Sequence, residues 1–255
     1  MFEIIICIIA GLGAGFGTGF AGMSAAAVIS PLLITFLDMD PYLAVGIALA
    51  SDVLASAVSA ITYGKNKNLD IKNGLIMMIS VLCFTMAGSY IASIVPKTTM
   101  GNFSVFMTLL LGIKFIVKPV TEPKQRLLAA TAKQKAIRSV ACGAAVGFIC
   151  GFVGAGGGMM MLLVLTSVLG YELKTAVGTS VFIMSATALT GSVSHFVIGG
   201  MPDVEALVIC VVSTLVFAQI ASLLANKLPA KTLNRITGAI LVVLGVAVLG
   251  VNYLA

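Results

Sequence analysis

The chain has 255 residues, of which 60% are apolar and only 9% are charged, and its mean hydropathy is +1.15. A soluble domain carries about 25% charged residues, and a disordered chain has few apolar residues, so composition excludes both classes. The net charge of +6 does not indicate nucleic acid, because the basic residues cluster between hydrophobic runs, as in the cytoplasmic loops of membrane proteins. The sequence predicts an all-α polytopic membrane protein surrounded by lipid.

Long uncharged runs divide the chain into candidate membrane segments, since a spanning helix needs about 20 mostly apolar residues. The five cysteines lie within these runs and form no CxxC pair and no metal-ligand spacing. We therefore expect no disulfide, no metal site and no cofactor. The runs without Asp, Glu, Lys, Arg or His are 4–37, 53–64, 73–96, 98–113, 139–171, 175–194, 206–226 and 236–255.

The sequence contains an internal repeat. GFGTGFAG at 15–22 recurs as GFICGFVG at 147–154, an offset of 132 residues. Without a gap, the same offset pairs 10–64 with 142–196 and gives 11 identities in 55 positions. The chain is therefore interpreted as two copies of one unit.

The first hydrophobic run of each copy is too long for one crossing. The run 4–37 would extend about 51 Å as a straight helix, and 139–171 is similar in length. Each run has glycines at its middle, at Gly22 in the first copy and from Gly154 to Gly158 in the second. Glycine weakens a helix by roughly 1 kcal/mol per residue, so each run is predicted to be a broken helix or a re-entrant hairpin.

The charge distribution predicts the topology. If each long run returns to its starting side, the basic segments 65–72, 114–138 and 227–235 all become cytoplasmic. Each repeat then has about three spanning helices after its broken first helix, and this odd number inverts the second repeat. The predicted organisation is a first membrane repeat at 1–119, a basic cytoplasmic loop at 120–138 and a second membrane repeat at 139–255.

Inverted repeats with interrupted helices are typical of secondary transporters, whose substrate lies near the bilayer midplane. A helix that restarts inside the membrane has free N–H groups and a partial positive charge at its start, which favours a small anion. Glycines with four-residue spacing, as in Gly11, Gly15 and Gly19, are also explained by close helix packing. The predicted substrate-binding residues are Gly22, Ser24, Gly154, Gly156, Gly157, Gly158, Thr179, Ser180 and His195.

Two ionisable residues lie where charge is costly. Asp52 interrupts an otherwise uncharged stretch and is the predicted proton or cation acceptor of a coupled transporter. The alternative is local pairing with Ser51, Ser56 or a backbone N–H. His195, the only histidine, is predicted to carry a proton or to face the anion, and the alternative is simple solvation at the membrane interface.

At these residues the chain resembles the TauE/SafE family of membrane proteins. The resemblance rests on the two GF-x-x-GF-x-G openings, the glycines 156–158, the segment 176–180, and Ser194-His195 before Gly199-Gly200. It implies a plasma-membrane or inner-membrane transporter of bacterial type for sulfite or related organosulfur anions, driven by an ion gradient. The first repeat departs from the pattern: 23–26 has no glycine run, Gly46-Ile47-Ala48 replaces Gly-Thr-Ser, and Asp52 has Met184 as its repeat partner.

The predicted function is therefore a secondary transporter of a small anion that works by alternating access. The alternative is a channel or a carrier for thiosulfate, a metal cation or a neutral metabolite. An enzyme is not expected, because the sequence has no Gly-x-Ser-x-Gly elbow and no HExxH helix. The expected partners are the small anion, membrane lipid and a coupling proton or cation, with no nucleic acid and with the oligomeric state left open.

Overall fold

The computed structural model describes residues 1–92, 109–110, 113–119, 122–123, 130–153 and 157–254, and these ranges contain helices and no strands. In the first half, helices α1 to α4 are Phe2–Ala21, Ala26–Leu37, Pro41–Lys65 and Ile71–Ala92. In the second half, α5 is Ala132–Val153, α6 is Gly157–Leu163 and continues as the π-helix Val164–Leu169, α7 is Leu173–Gly199, α8 is Val204–Lys227 and α9 is Ala230–Leu254.

Five of the described helices are long and apolar enough to cross a membrane: α1, α3, α7, α8 and the first eighteen residues of α9. Their outer surfaces carry exposed branched apolar side chains such as Ile61, Val208 and Val212. A helix satisfies its own backbone hydrogen bonds, which lipid cannot do. The prediction of an all-α polytopic membrane protein is confirmed.

The first long run is broken at the predicted glycine. α1 ends at Gly22, whose φ of 58° lies in the left-handed region that glycine adopts without strain. The chain then folds back along α1. Two distances show this: a Cβ at Gly13 would lie 3.2 Å from Val28 Cγ1, and a Cβ at Gly17 would lie 3.3 Å from Met23 Cε. The arms α1 and α2 therefore form a hairpin.

The second long run is also two helical segments. α5 begins at Ala132, so the last seven residues of the predicted loop 120–138 are its first two turns. α5 is described as far as Val153 and α6 begins at Gly157, and residues 154–156 are outside the described ranges. The run begins and ends beside α4: Ser80 donates to the Val140 carbonyl at 2.8 Å, and the Tyr171 hydroxyl donates to Asp70 at 2.8 Å.

The two halves exchange their packing partners. α1 packs on α8, and its repeat equivalent α5 packs on α4, which is the equivalent of α8. α3 and its equivalent α7 pack on each other. Each half of the chain therefore completes the helix bundle of the other.

The glycine stripes on α1 and α5 make these contacts close. A Cβ at Gly15 would lie 2.8 Å from the Thr214 carbonyl oxygen of α8, and a Cβ at Gly143 would lie 2.8 Å from the Met77 carbonyl oxygen of α4. Small residues at four-residue spacing allow helix backbones to approach in this way. The packing interpretation of these glycines is confirmed.

The equivalent helices α3 and α7 run antiparallel. The start of α3 meets the end of α7, where Gly46 faces Phe196, and the end of α3 meets the start of α7, where Gly178 faces the Cβ of Tyr63. In the sequence, α7 follows α3 by the repeat offset of 132 residues.

Charged residues separate to two ends of the bundle, which we call the basic face and the acidic face. At the basic face, Asn68 donates to Asn226 at 2.7 Å and Lys174 donates to the Asn226 carbonyl at 3.0 Å. At the acidic face, His195 near the end of α7 contacts Tyr42 at the start of α3. The basic face carries Lys65, Lys67, Lys72, Lys174 and Lys227, and the acidic face carries Asp38, Asp40, Asp203 and Glu205.

Candidate functional site

The two helix breaks meet inside the bundle. Gly158, the second residue of α6, lies so close to the first break that a Cβ would be 2.7 Å from both the Gly22 carbonyl oxygen and the Ser24 nitrogen. Only a glycine fits between the two backbones at this distance. The structure therefore brings together three of the predicted site residues, Gly22, Ser24 and Gly158.

Ser180 joins the breaks from α7. Its hydroxyl is buried and donates to the Gly22 carbonyl at 3.1 Å. One turn further along α7, the sulfur of Met184 lies 2.8 Å from the position of a Cβ on Gly158. A serine hydroxyl at Gly22 and a thioether at Gly158 thus lie where the first break meets the start of α6, and both side chains are uncharged.

Asp52 occupies the equivalent place at the first break. Its carboxylate, in a side chain that is only 1% exposed, accepts hydrogen bonds from the Ser24 hydroxyl at 2.8 Å and from the Ala25 N–H at 3.2 Å. The Ser56 hydroxyl donates to its other oxygen at 2.7 Å. Ser24 and Ala25 stand at the N-terminal end of α2, where free N–H groups and the helix dipole favour negative charge.

The start of α2 is therefore held by a carboxylate of the chain itself. A charge-assisted hydrogen bond is about twice as strong as a neutral one, so Asp52 fastens the hairpin to α3. The local pairing considered for Asp52 is present at Ser56, but the contacts with Ser24 and Ala25 cross the break as well. Ser51 takes no part, since it donates to the Ile47 carbonyl at 2.9 Å.

Two predicted residues lie away from the breaks. The Thr179 hydroxyl accepts from the Asp70 N–H at 3.2 Å, at the N-terminus of α4 on the basic face. His195 donates from Nδ1 to the Tyr42 carbonyl at 3.0 Å, and its ring lies 4.1 Å from the Tyr42 ring. It follows Ser180 by fifteen residues, about 22 Å along α7, so the helix places it at the acidic face.

The predicted glycine run is described only in part. Gly154 and Gly156 lie outside the described residues, and Gly157 is the first residue of α6. Gly158 is buried. Within the described ranges, no three His, Cys, Asp or Glu side chains are grouped so that they could hold a metal ion.

Sequence reasoning missed two residues that support the first break. The Thr18 hydroxyl donates to the Met23 carbonyl at 2.9 Å, and the Tyr63 hydroxyl donates to the Gly19 carbonyl at 2.8 Å. Both side chains are buried, and both satisfy carbonyls on either side of the turn. Tyr63 follows Asp52 by eleven residues, three helical turns, and this spacing is the signal that could have identified it.

The spanning helices define a multi-pass membrane protein with a helix break and a buried carboxylate in its core. The chain matches the family model described as "Sulfite exporter TauE/SafE" over residues 7–248. It therefore belongs to the TauE/SafE family, as the resemblance predicted.

Three relatives are described as probable membrane transporter proteins. YunE of Bacillus subtilis (strain 168) is 27% identical over 95% of this chain and 96% of its own length. YdhB of the same organism is 22% identical over 83% of this chain and 86% of its own length. MJ0441 of Methanocaldococcus jannaschii is 23% identical over 74% of this chain and 71% of its own length.

Proposed function

We propose that the chain is a secondary transporter of a small anion, with sulfite or a related organosulfur oxyanion as its substrate. Membership of the sulfite exporter family gives the class. The observation that carries the proposal is the meeting of Gly22, Ser24 and Gly158, since two interrupted helices that converge in the core are the usual substrate site of such transporters. No catalytic role is assigned to any residue.

The proposed transport cycle uses two repeats of opposite orientation. The antiparallel packing of α3 on α7 supports this arrangement, because equivalent helices of inverted repeats must run in opposite directions. The long runs support it as well: the first begins and ends at the acidic face, and the second begins and ends at the basic face. Exchanging the conformations of two such repeats opens the central site to the other side of the membrane.

The substrate anion is proposed to bind on the second break. The first N-terminus already has its own carboxylate in Asp52, whereas the second has the uncharged Met184 at the equivalent position. The glycines from Gly154 to Gly158 would let the anion approach the backbone closely, and Ser180 is the nearest hydroxyl donor.

Asp52 is proposed to couple transport to a proton or a cation. An ionisable group in the interior of a membrane bundle is costly and is retained for such roles. The basic face is proposed to be cytoplasmic in a plasma membrane or inner membrane, because short loops rich in lysine and arginine stay on that side. This assignment places the predicted loop 120–138 in the cytoplasm.

The second candidate is a carrier of a cation. It is favoured by one observation, the buried negative charge of Asp52 beside the breaks. A screen of thermal stabilisation distinguishes the two, because a ligand of the folded state raises its stability as the ligand concentration exceeds its Kd. Sulfite, thiosulfate and sulfonates are expected to stabilise the chain, and a response to cations alone would favour the second candidate.

The transport test uses proteoliposomes that contain the wild-type chain or Gly158→Leu. We expect saturable sulfite flux that a pH gradient alters, and loss of this flux in the variant, because the leucine side chain would fill the space where the two breaks meet. Gly250→Leu is the matched control, since a Cβ at Gly250 meets nothing within 4 Å. Sulfite flux in a folded Gly158→Leu protein equal to that of the wild type would contradict the proposed site.

A further inference from the structure

One face of α3 carries a row of buried polar side chains. Asp52, Ser56, Ser59 and Tyr63 are spaced by four, three and four residues, which places them on one side of the helix. All four are at most 1% exposed. The row extends about 16 Å along the helix and ends two residues before Lys65 at the basic face. It is referred to below as the α3 polar row.

The same face of α3 is apolar on the other side of Asp52. One and two turns toward the acidic face, the equivalent positions are Ala48 and Ala44, and both are fully buried. Neither methyl group can pass a proton or hold a water molecule. Along this surface of α3, hydroxyl groups therefore lie on the basic-face side of Asp52 and not on its acidic-face side.

Ser59 is the unusual member of the row. Its hydroxyl is buried, and within the described part of the chain no group accepts from it or donates to it. A buried hydroxyl without a protein partner is rare and is commonly satisfied by an internal water. A water at Ser59, one turn from Ser56 and one turn from Tyr63, would make the row continuous.

The groups around Asp52 suit a proton better than a metal cation. All three hydrogen bonds at the carboxylate run toward it, from two hydroxyls and from one backbone N–H. An N–H has no lone pair for a cation. The distances of 2.7 and 2.8 Å to the hydroxyl oxygens are the usual distances of O–H···O hydrogen bonds.

Among the residues that the structure describes, the hydrogen-bond partners of the Asp52 carboxylate include no other ionisable side chain. Its partners are Ser24, Ala25 and Ser56, none of which titrates near neutral pH. α3 packs against α1, α2, α7 and α8, and α2 contains no ionisable residue. The ionisable side chains of the other three are near helix ends or in the outer turns: Glu3, Cys7, Lys174, His195, Glu205, Cys210 and Lys227.

We infer that Asp52 exchanges its proton with the basic face through Ser56, Ser59 and Tyr63. The inference rests on the proposed coupling role of Asp52 and assigns to it a side of access and a path. When Asp52 releases its proton, Ser56 Oγ accepts it and passes its own proton to a water at Ser59. Tyr63 Oη then accepts a proton from that water, and its own O–H, which donates to the Gly19 carbonyl in the structure, turns to pass its proton to a water at the basic face near Lys65. No charge remains on any hydroxyl.

The test uses oriented membrane vesicles that contain the full chain, with the pH set separately on each side. N,N′-dicyclohexylcarbodiimide enters from the lipid and modifies carboxyl groups in the protonated form, and mass spectrometry reads the modification of Asp52. With about pH 5 at the basic face and about pH 8 at the acidic face, we expect Asp52 to be modified to the same extent as when both sides are at about pH 5. Reversing the gradient should give the low modification seen at about pH 8.

Variants of the row test the path itself. After a change of pH at the basic face, we expect Ser59→Val to slow the response of Asp52 at least ten-fold. Ser59→Ala only removes the hydroxyl, and we expect it to slow the response by a smaller factor. Ser59→Thr keeps a hydroxyl and should respond like the wild type. Ser30→Val is the matched control, because Ser30 is also buried without a partner but belongs to α2.

Three results would overturn the inference: modification that follows the pH of the acidic face, Asp52 that no pH makes reactive, or Ser59→Val and Ser59→Ala proteins that respond as fast as the wild type. Vesicle orientation is read from the labelling of Lys72→Cys and Met201→Cys, which are exposed at the two faces. The assay needs no substrate. A chain that carries no sulfite can therefore pass it, and a sulfite carrier can fail it.

Discussion

At the scale of single residues, Asp52 has two roles: it holds the start of α2 and it is the proposed coupling residue. The carboxylate satisfies Ser24 and the Ala25 N–H at the start of α2 and Ser56 on its own helix. Its repeat partner, Met184, stands beside Gly158 without charge. The two copies of the unit thus differ at this position: the N-terminus of α2 is paired with the carboxylate of Asp52, and the start of α6 has the uncharged Met184 instead.

Asp52→Asn is expected to weaken the fold and to remove proton coupling. The side chain keeps its shape but loses the charge that the α2 N-terminus favours, which should cost about 1–2 kcal/mol of unfolding free energy. Sulfite flux, where it remains, should no longer vary with pH. The measurements are thermal unfolding in detergent and flux across a pH series.

Asp40→Asn is the control for this change. Asp40 also caps a helix, accepting from the Tyr42 and Leu43 N–H groups at 2.9 and 3.2 Å, but it lies at the acidic face rather than in the core. Its variant should retain the pH dependence of flux. If the sulfite flux of Asp52→Asn still varied with pH, the role of Asp52 would be purely structural.

The sequence identified Ser24, Ser180 and Asp52 as important but did not show that Ser24 and Asp52 bond each other. That contact joins residues 28 positions apart across a helix break, and no helical periodicity reports it. Thr179 and His195 were grouped with the site because they share α7 with Ser180. The pattern along one helix does not reveal the depth of the break, and the two residues lie at opposite ends of that helix.

At the scale of elements, glycine acts in two ways that spacing distinguishes. At Gly22 it allows the left-handed turn that ends α1. At Gly11, Gly15 and Gly19 it allows α1 to lie against α8. Both roles could be predicted from the sequence. Glycines four residues apart lie on one surface of a helix, and a glycine in the middle of an apolar run too long for one crossing indicates a break. The helix starts were less predictable: α5 starts at Ala132, inside the predicted basic loop 120–138.

Gly15→Leu is expected to separate α1 from α8. The new Cβ would lie 2.8 Å from backbone atoms of Thr214 and Ala218, which cannot move without shifting the helix. Overpacking of this kind should cost about 3 kcal/mol or more and reduce the yield of monodisperse protein in size-exclusion chromatography.

Gly13→Ala tests whether the effect belongs to the α1–α8 contact. Its Cβ would meet side-chain atoms of Val28 and Leu244 at 3.2 and 3.5 Å, so we expect a nearly normal yield. A Gly15→Leu protein as stable as the wild type would show that α1 does not need this close approach.

At the scale of the whole molecule, the two halves interlock and their charges separate. The first helix of each half packs on the fourth helix of the other, so neither half has a complete core alone. The lysines gather at one end, together with Asp70 and Glu172, and Asp38, Asp40, Asp203 and Glu205 lie at the other. An excess of lysine at one end is what the positive-inside rule expects of a cytoplasmic end. The repeat and the charge asymmetry could be read from the sequence. The exchange of packing partners could not, because nothing local in a helix specifies its neighbour.

The central claim is that the two repeats have opposite orientations, and the accessibility of equivalent residues tests it most directly. Lys72 and Val204 are related by the repeat offset, and both are exposed. In a background without the natural cysteines, Lys72→Cys and Val204→Cys are labelled in intact cells and in inverted vesicles with a reagent that does not cross membranes. The account predicts labelling from opposite sides, with Lys72→Cys reached only in inverted vesicles. Labelling of both from the same side would contradict the inversion and remove the basis for the central site.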